Sequence, residues 1–330
     1  PAASGTSSGA TLLLSGGGTT GYDLGNGAYS DVSLDVSGQE TRPRGMAFNT
    51  DGTKVYIVGN DNDNVHQYSL STAFDLNTAS YDSVSFSVAS QDTNPYGMSF
   101  NADGTKMYII GISNDSAFQY TLSTAFDLST ASYDSVSFSF ASQEADPQEI
   151  TFNNDGTKMY MVGTSGDSVY QYSLSTAFDL STASYDSVSF SVASQEASPT
   201  SVVFNNDGTK MYIVGYSSDT VYQYTLSTAF DLSTSSYDSV SFSVASQETS
   251  PEDITFNSDG TKMYIVGQSS DRIYQYSTAT PATITYDPTL QWPSGTAPTS
   301  PAIGETDVLT FNTTDGGTTY KSVLAIDGAK

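Results

Sequence analysis

One histidine and no cysteine in 330 residues leave this chain little but carboxylates, amides, hydroxyls and phenols with which to do chemistry. A nucleophile–histidine triad would have to be built on that one histidine, and cysteine- or histidine-rich zinc sites are out of reach. His66 falls where other copies of the same segment carry Phe118, Tyr170, Tyr222 and Tyr274, so it is expected to fill an aromatic position rather than to act as a base. Acidic residues are plentiful, 36 against 10 basic, and two carboxylates in unlike environments could cleave a glycosidic bond. No copy carries an insertion that would make two environments unlike, so polysaccharide cleavage stands behind a non-enzymatic reading. Asn60-Asp-Asn-Asp-Asn64 sets oxygen ligands at close spacing, and an Asp recurs at Asp63, Asp115, Asp167, Asp219 and Asp271. Asp61 and Asp63 are therefore calcium candidates. Against them, the glycine that a calcium loop needs for its sharp turn is missing, and Asp in a turn commonly caps its own backbone. No cofactor is expected, with Ca2+ as the alternative.

These residues are carried by a unit that repeats without slip. Phe-Asn-x-Asp-Gly-Thr-Lys begins at Phe48, Phe100, Phe152, Phe204 and Phe256, a period of 52 residues. A fixed period of this length marks an architecture in which each unit buries its apolar face on its neighbours. Within one unit, Met98 to Asn101 predicts a short strand, Asp103-Gly104 a hairpin turn, and Lys106 to Gly111 a continuous apolar strand. Ala117 to Leu122 follows as a third strand. Val136-Ser-Phe-Ser-Phe140 alternates as a half-buried fourth strand should. Four antiparallel strands per unit describe a blade of a β-propeller.

The phase of the repeat shows how the ring closes. The chain enters with an outer strand alone, and its last full unit ends at Tyr276 without one. An N-terminal strand over 32 to 36 beside 273 to 277 would complete the last blade and remove the free edges. The expectation is an all-β fold: a five-bladed β-propeller of 52-residue, four-stranded blades over 21–278, closed by an N-terminal outer strand. Residues 1–20 are expected to be a linker with a lone strand at Ala10 to Leu14. Residues 279–330 should form a small β module with strands at Ala282 to Tyr286, Asp307 to Asn312 and Thr318 to Ile326, the last two joined by a turn at Asp315-Gly-Gly.

A net charge of −26 argues against nucleic acid and against an anionic membrane surface as partners. No apolar run is long enough to cross a membrane as a helix. The chain opens without an initiator Met or a secretory signal, so a processed product or a part of a longer protein is expected.

Differences between the five units gather in two places. One is the connection from fourth strand to first: Thr41-Arg-Pro-Arg-Gly45, Thr93-Asn-Pro-Tyr-Gly97, Ala145-Asp-Pro-Gln-Glu149, Ala197-Ser-Pro-Thr-Ser201 and Thr249-Ser-Pro-Glu-Asp253. The other is the residue opening the second-to-third loop: Asn60, Ile112, Thr164, Tyr216 and Gln268. Both connections emerge at one end of the disc, while the opposite end is nearly invariant. That pattern predicts a recognition face on exposed loops. Its candidate ligand-binding residues are Arg42, Arg44, Asn94, Tyr96, Asp146, Gln148, Thr200, Tyr216, Glu252 and Asp253. Tyr96 and Tyr216 are the candidate platform for a sugar ring. Arg42 and Arg44 opposite Glu252 and Asp253 could instead form a salt-bridged seam where the ring closes.

The unit Phe-Asn-x-Asp-Gly-Thr-Lys-Met-Tyr-Ile-Val-Gly resembles the propeller repeats typified by a Pro-Asp-Gly turn and a Tyr-Val-Thr-Asn strand. The longer form, with Ser-Leu-Ser-Thr-Ala-Phe-Asp-Leu-Ser-Thr-Ala-Ser-Tyr between blades, is similar to repeats in tail-fibre and other virion structural proteins of marine tailed bacteriophages. The segment from Gln291-Trp-Pro through Tyr320 resembles a C-terminal module of such fibres. This resemblance implies a virion or extracellular location and supplies no catalytic residues. The function expected is therefore a non-enzymatic appendage protein that binds a cell-surface glycan or receptor through one face of the propeller. The alternative is a subunit of a self-assembling extracellular filament, a homo-oligomer or virion assembly joined through its terminal segments by strand addition.

Overall fold

The computed structural model describes residues 21–279, 306–313 and 320–329. The expected linker, the strand at Ala10 to Leu14, the strand at Ala282 to Tyr286 and the turn at Asp315 lie outside these residues.

Residues Tyr22–Thr278 form one compact unit, a five-bladed β-propeller. Its five inner strands are Pro43–Phe48, Pro95–Phe100, Pro147–Phe152, Pro199–Phe204 and Pro251–Phe256. Each packs beside the next around a central axis, and the fifth packs beside the first. In each blade the inner strand pairs with a second strand such as Lys54–Gly59, a third such as Asn64–Leu70, and an outer strand such as Ala79–Ser87. The fifth blade takes its outer strand from the other end of the chain. Ala28–Asp35 runs antiparallel to Arg272–Ser277, with Val32 opposite Gln275 and Leu34 opposite Ile273. The outer strands begin earlier than alternation alone indicated, at Ala131 rather than Val136 in the second blade, and carry a bulge where Ser135 takes a φ of 60°.

The repeated motif explains the local geometry. Asn49 accepts from the Lys54 amide at 2.8 Å, and Asp51 accepts from the Thr53 amide at 3.0 Å, which fixes the turn. Gly52 sits at a φ of 72° beneath the Phe74 ring, where any Cβ would collide with the ring. Phe126, Phe178 and Phe230 cover Gly104, Gly156 and Gly208 in the same way, and Tyr22 takes this place over Gly260. The long connection is then tied to the neighbouring blade. Tyr56 donates to the Phe126 carbonyl at 2.5 Å, Tyr108 to Phe178 at 2.6 Å and Tyr160 to Phe230 at 2.5 Å. Tyr212 donates to the Tyr22 carbonyl at 2.8 Å and Tyr264 to Phe74 at 2.7 Å, so the cycle of blade-to-blade bonds closes on itself. The core accordingly lies between blades. Tyr56, Val58 and Val65 of the first blade pack with Met107, Ile109 and Tyr120 of the second.

Outside this unit, Thr306–Thr313 and Tyr320–Ala329 pair as an antiparallel two-stranded sheet, Leu309 opposite Leu324 and Phe311 opposite Ser322.

Candidate functional site

The positions that differ between blades lie largely on the inner strands, not on exposed loops. Pro43 already pairs with Gly59, and the next pair is Gly45 with Val58, so Arg44 is the extra residue of a β-bulge. The same shift follows Pro95, Pro147, Pro199 and Pro251. Proline suits the first position of a strand because it has no N–H to give the ladder. The bulge re-aims the residue after it. Five bulge residues, Arg44, Tyr96, Gln148, Thr200 and Glu252, thus form one tier at the loop-bearing end of the axis. Gly45, Gly97, Glu149, Ser201 and Asp253 form the next tier inward. This corrects the expectation of loop-borne contacts, since Gln148, Thr200, Glu252 and Asp253 are all buried.

In the outer tier, Arg44 pairs with Glu252 at 2.7 Å, their side chains 10% and 1% exposed. The Arg44 guanidinium also lies over the Tyr96 ring, 4.4 Å from its centre, an attraction of the cation for the ring's negative face. Gln268 donates to the same Glu252 oxygen at 2.7 Å. Burial pushes the Glu252 carboxyl up to about 7, with Arg44 opposing the shift. The expected seam therefore holds for one pair only, and that pair is buried. Arg42 is exposed and uses its amide on Glu40 at 2.8 Å. Among the described residues Asp253 forms no ion pair with an arginine. Thr200 donates to the Pro251 carbonyl at 3.2 Å, and Gln148 to that of Asp146 at 3.2 Å. Asn94 accepts from Asn60 at 2.5 Å, and Asp146 from Ser165 at 2.8 Å.

Tyr96 is half-buried in the outer tier, and Tyr216 stands on the second-to-third loop of the fourth blade. Burial raises the Tyr96 phenol, and the Arg44 guanidinium over its ring opposes the shift. Tyr216, 45% exposed, is the only exposed large apolar side chain among the described residues.

Of the inner tier, the sequence singled out Asp253 alone. Asp253 accepts from Ser201 Oγ at 2.6 Å, the Met46 amide at 2.7 Å and the Ile254 amide at 2.7 Å. Glu149 accepts from the Ile150 amide at 2.8 Å and reaches over Gly97, whose missing side chain leaves it room. The charge of Asp253 adds to burial in raising Glu149 well above the carboxylate range, and burial raises Asp253 likewise. Both line an axial cavity of about 240 Å³ that runs along the inner strands to Thr50, Asn101 and Ala102 at the turn-bearing end. Sequence held a signal for this tier. Each of its residues directly precedes Met46, Met98, Ile150, Val202 or Ile254, an apolar column that marks strand rather than loop.

A second set of carboxylates went unnoticed because it does not vary. Glu40, Asp92, Glu144, Glu196 and Glu248 are buried. Each ties the fourth-to-first connection to the second-to-third loop, as Glu144 does by accepting from Asp146 at 3.0 Å, Ser165 at 3.0 Å and Gly166 at 2.9 Å. Of the calcium candidates, Asp61 accepts from Thr41 Oγ1 at 2.9 Å and Asp63 takes a φ of 54°. Among the described residues no three or more metal-ligating side chains gather. His66 is buried at its aromatic position, edge-on to Tyr81, and burial lowers its pKa.

These shifts set the pH dependence of stability. Glu149, Glu252 and Asp253 are raised in the folded state, so their contribution is present in acid and lost as pH rises, for Glu252 and Asp253 through about 7. Asp51, Asp103, Asp155, Asp207 and Asp259 are lowered by their turn hydrogen bonds, so theirs is lost below about 4. Thermal melts should therefore show the midpoint rising from pH 8 to about 5.5 and falling again below about 4. A midpoint that climbs steadily toward alkaline pH would contradict the assignment.

No protein-family model matches the chain, and no curated protein does. Solved structures similar to it include a functionally unknown protein from Desulfotomaculum acetoxidans, 11% identical, TM-score 0.42, the match covering 68% of this chain and 62% of that one. This chain thus spans less than two thirds of that protein. A protein from Lactobacillus plantarum is 13% identical, TM-score 0.44, covering 78% and 70%. A candidate 6-phosphogluconolactonase from Bacteroides uniformis is 14% identical, TM-score 0.45, covering 73% and 68%.

Proposed function

We propose that the propeller is a non-enzymatic binding module that takes a cell-surface glycan at the loop-bearing end of its axis. The observation that carries this reading is Tyr216. Most large apolar side chains of the disc are buried, whereas this one is exposed at the end where the blades differ, the end that also carries Tyr96 with Arg44 over its ring. An exposed phenol ring offers a flat apolar face at low entropy cost. The tier below is rigid, because Arg44, Glu252 and Gln268 are locked to one another. A preorganised surface spends less of its binding energy on ordering. A location on a virion or cell exterior is part of this proposal. Polysaccharide cleavage at Glu149 and Asp253 fits less well, since their cavity extends away from Tyr216, toward Thr50, Asn101 and Ala102 at the turn-bearing end.

The test is retention of the purified protein on immobilised host-surface glycans. Tyr216→Ala should weaken retention by roughly tenfold, about 1–2 kcal/mol, while Thr50→Ala at the other end leaves it unchanged. Unaltered retention by the double variant Tyr96→Ala/Tyr216→Ala would remove the basis of the reading.

A further inference from the structure

We propose that the inner end of the axial cavity is a separate site for a small organic cation, a primary ammonium on a short apolar stem, seated between Glu149 and Asp253. The two carboxylates come from the third and fifth blades, with Ser201 of the fourth between them in the ring. They are 4% and 3% exposed, and both border the cavity of about 240 Å³.

A buried carboxylate is matched either by a cation or by hydrogen-bond donors alone. Glu252, one residue from Asp253, has Arg44, and Glu40, Asp92, Glu144, Glu196 and Glu248 stand singly among loop donors. Glu149 and Asp253 instead border one cavity together, and among the described residues no Lys, Arg or His forms an ion pair with either. Their hydrogen-bond donors are backbone amides and the Ser201 hydroxyl, which orient the oxygens and leave the charge uncancelled. Which cation fits follows from the rest of the wall. Met46, Met98, Ile150 and Val202 line it beside the hydroxyls of Ser99, Thr151 and Thr255, and no third carboxylate, imidazole or thiol joins the pair among the described residues. A hard metal ion needs six or more oxygens or retained water, whereas an alkylammonium needs anionic acceptors for its N–H groups and an apolar sleeve for its carbons. The excess of negative charge over the whole chain raises the local concentration of any cation.

Calorimetric titration of the whole protein with n-butylammonium and, separately, with n-butanol tests the site without any mutation. Saturable binding of the amine at millimolar concentration or below, with the alcohol at least tenfold weaker, is expected. Glu149→Gln and Asp253→Asn should each weaken the amine by roughly tenfold or more. Nα-acetyl-lysine methylamide serves as a third probe. Affinity matching n-butylammonium assigns the site to lysine side chains, and its exclusion assigns the site to free amines. No saturable binding of either amine, equal binding of n-butanol, or full affinity in both folded variants would show that the pair holds only a proton and would overturn the proposal.

Discussion

Removal of residues 1–36 is expected to abolish cooperative unfolding of the propeller, and removal of 1–20 alone to leave it intact. The segment between supplies the whole outer strand of the fifth blade, from Ala28 opposite Ser277 to Asp35 opposite Arg272. It also supplies Leu24 and Val36, 1% and 0% exposed, and Val32, Leu34 and Tyr29, which pack on the same two clusters. Burying a side chain of this size contributes about 1.5–3 kcal/mol. Five of them rival the roughly 5–15 kcal/mol that holds a typical domain together. Tyr22 is lost as well, and with it the acceptor for Tyr212 and the cover over Gly260. The exposed edge of Arg272–Ser277 then becomes a template for other chains, so the shortened protein should aggregate. Circular dichroism melts and light scattering read both effects, and a peptide of residues 21–36 added in trans should restore the transition. A truncated chain that melts as sharply as the parent would mean that the ring does not depend on this closure.

Arg44→Ala should cost about 3–5 kcal/mol at pH 8, because it strands the Glu252 carboxylate in the ring with its charge unmatched. Two controls separate charge from packing. The loss should shrink as pH falls, since a Glu252 carboxyl already raised toward 7 accepts a proton once Arg44 no longer opposes it. Arg44→Met combined with Glu252→Leu should recover most of the stability, because an apolar pair of similar volume has no charge to desolvate. Urea titrations at pH 8 and pH 5.5 measure all three. A cost below about 1 kcal/mol at pH 8 would place the pair with ordinary surface salt bridges.

The blade was legible because its devices are local. Asp-Gly with Asn49 and Thr53 fixes one turn within six residues, and the alternation of the outer strands reports one buried face. Closure was legible too, because a lone outer strand at one end and a missing one at the other share a register. The wrong step was at Pro43, Pro95, Pro147, Pro199 and Pro251. A proline among polar residues looks like a loop, yet here it opens a strand whose next residue is a bulge. One extra residue breaks the period of two on which strand reading depends.

The amino-acid order alone determined that this chain makes five like blades and joins its ends, since hydrogen-bonding partners in a hairpin lie within a few residues and each copy repeats the same instructions. Only the tertiary structure decided that Arg44 meets Glu252 across 208 residues and that Glu149 shares a cavity with Asp253. Those meetings arise where five inner strands converge on one axis. The position of a residue on that axis depends on the twist and bulge of every blade at once, and no stretch of sequence encodes it by itself.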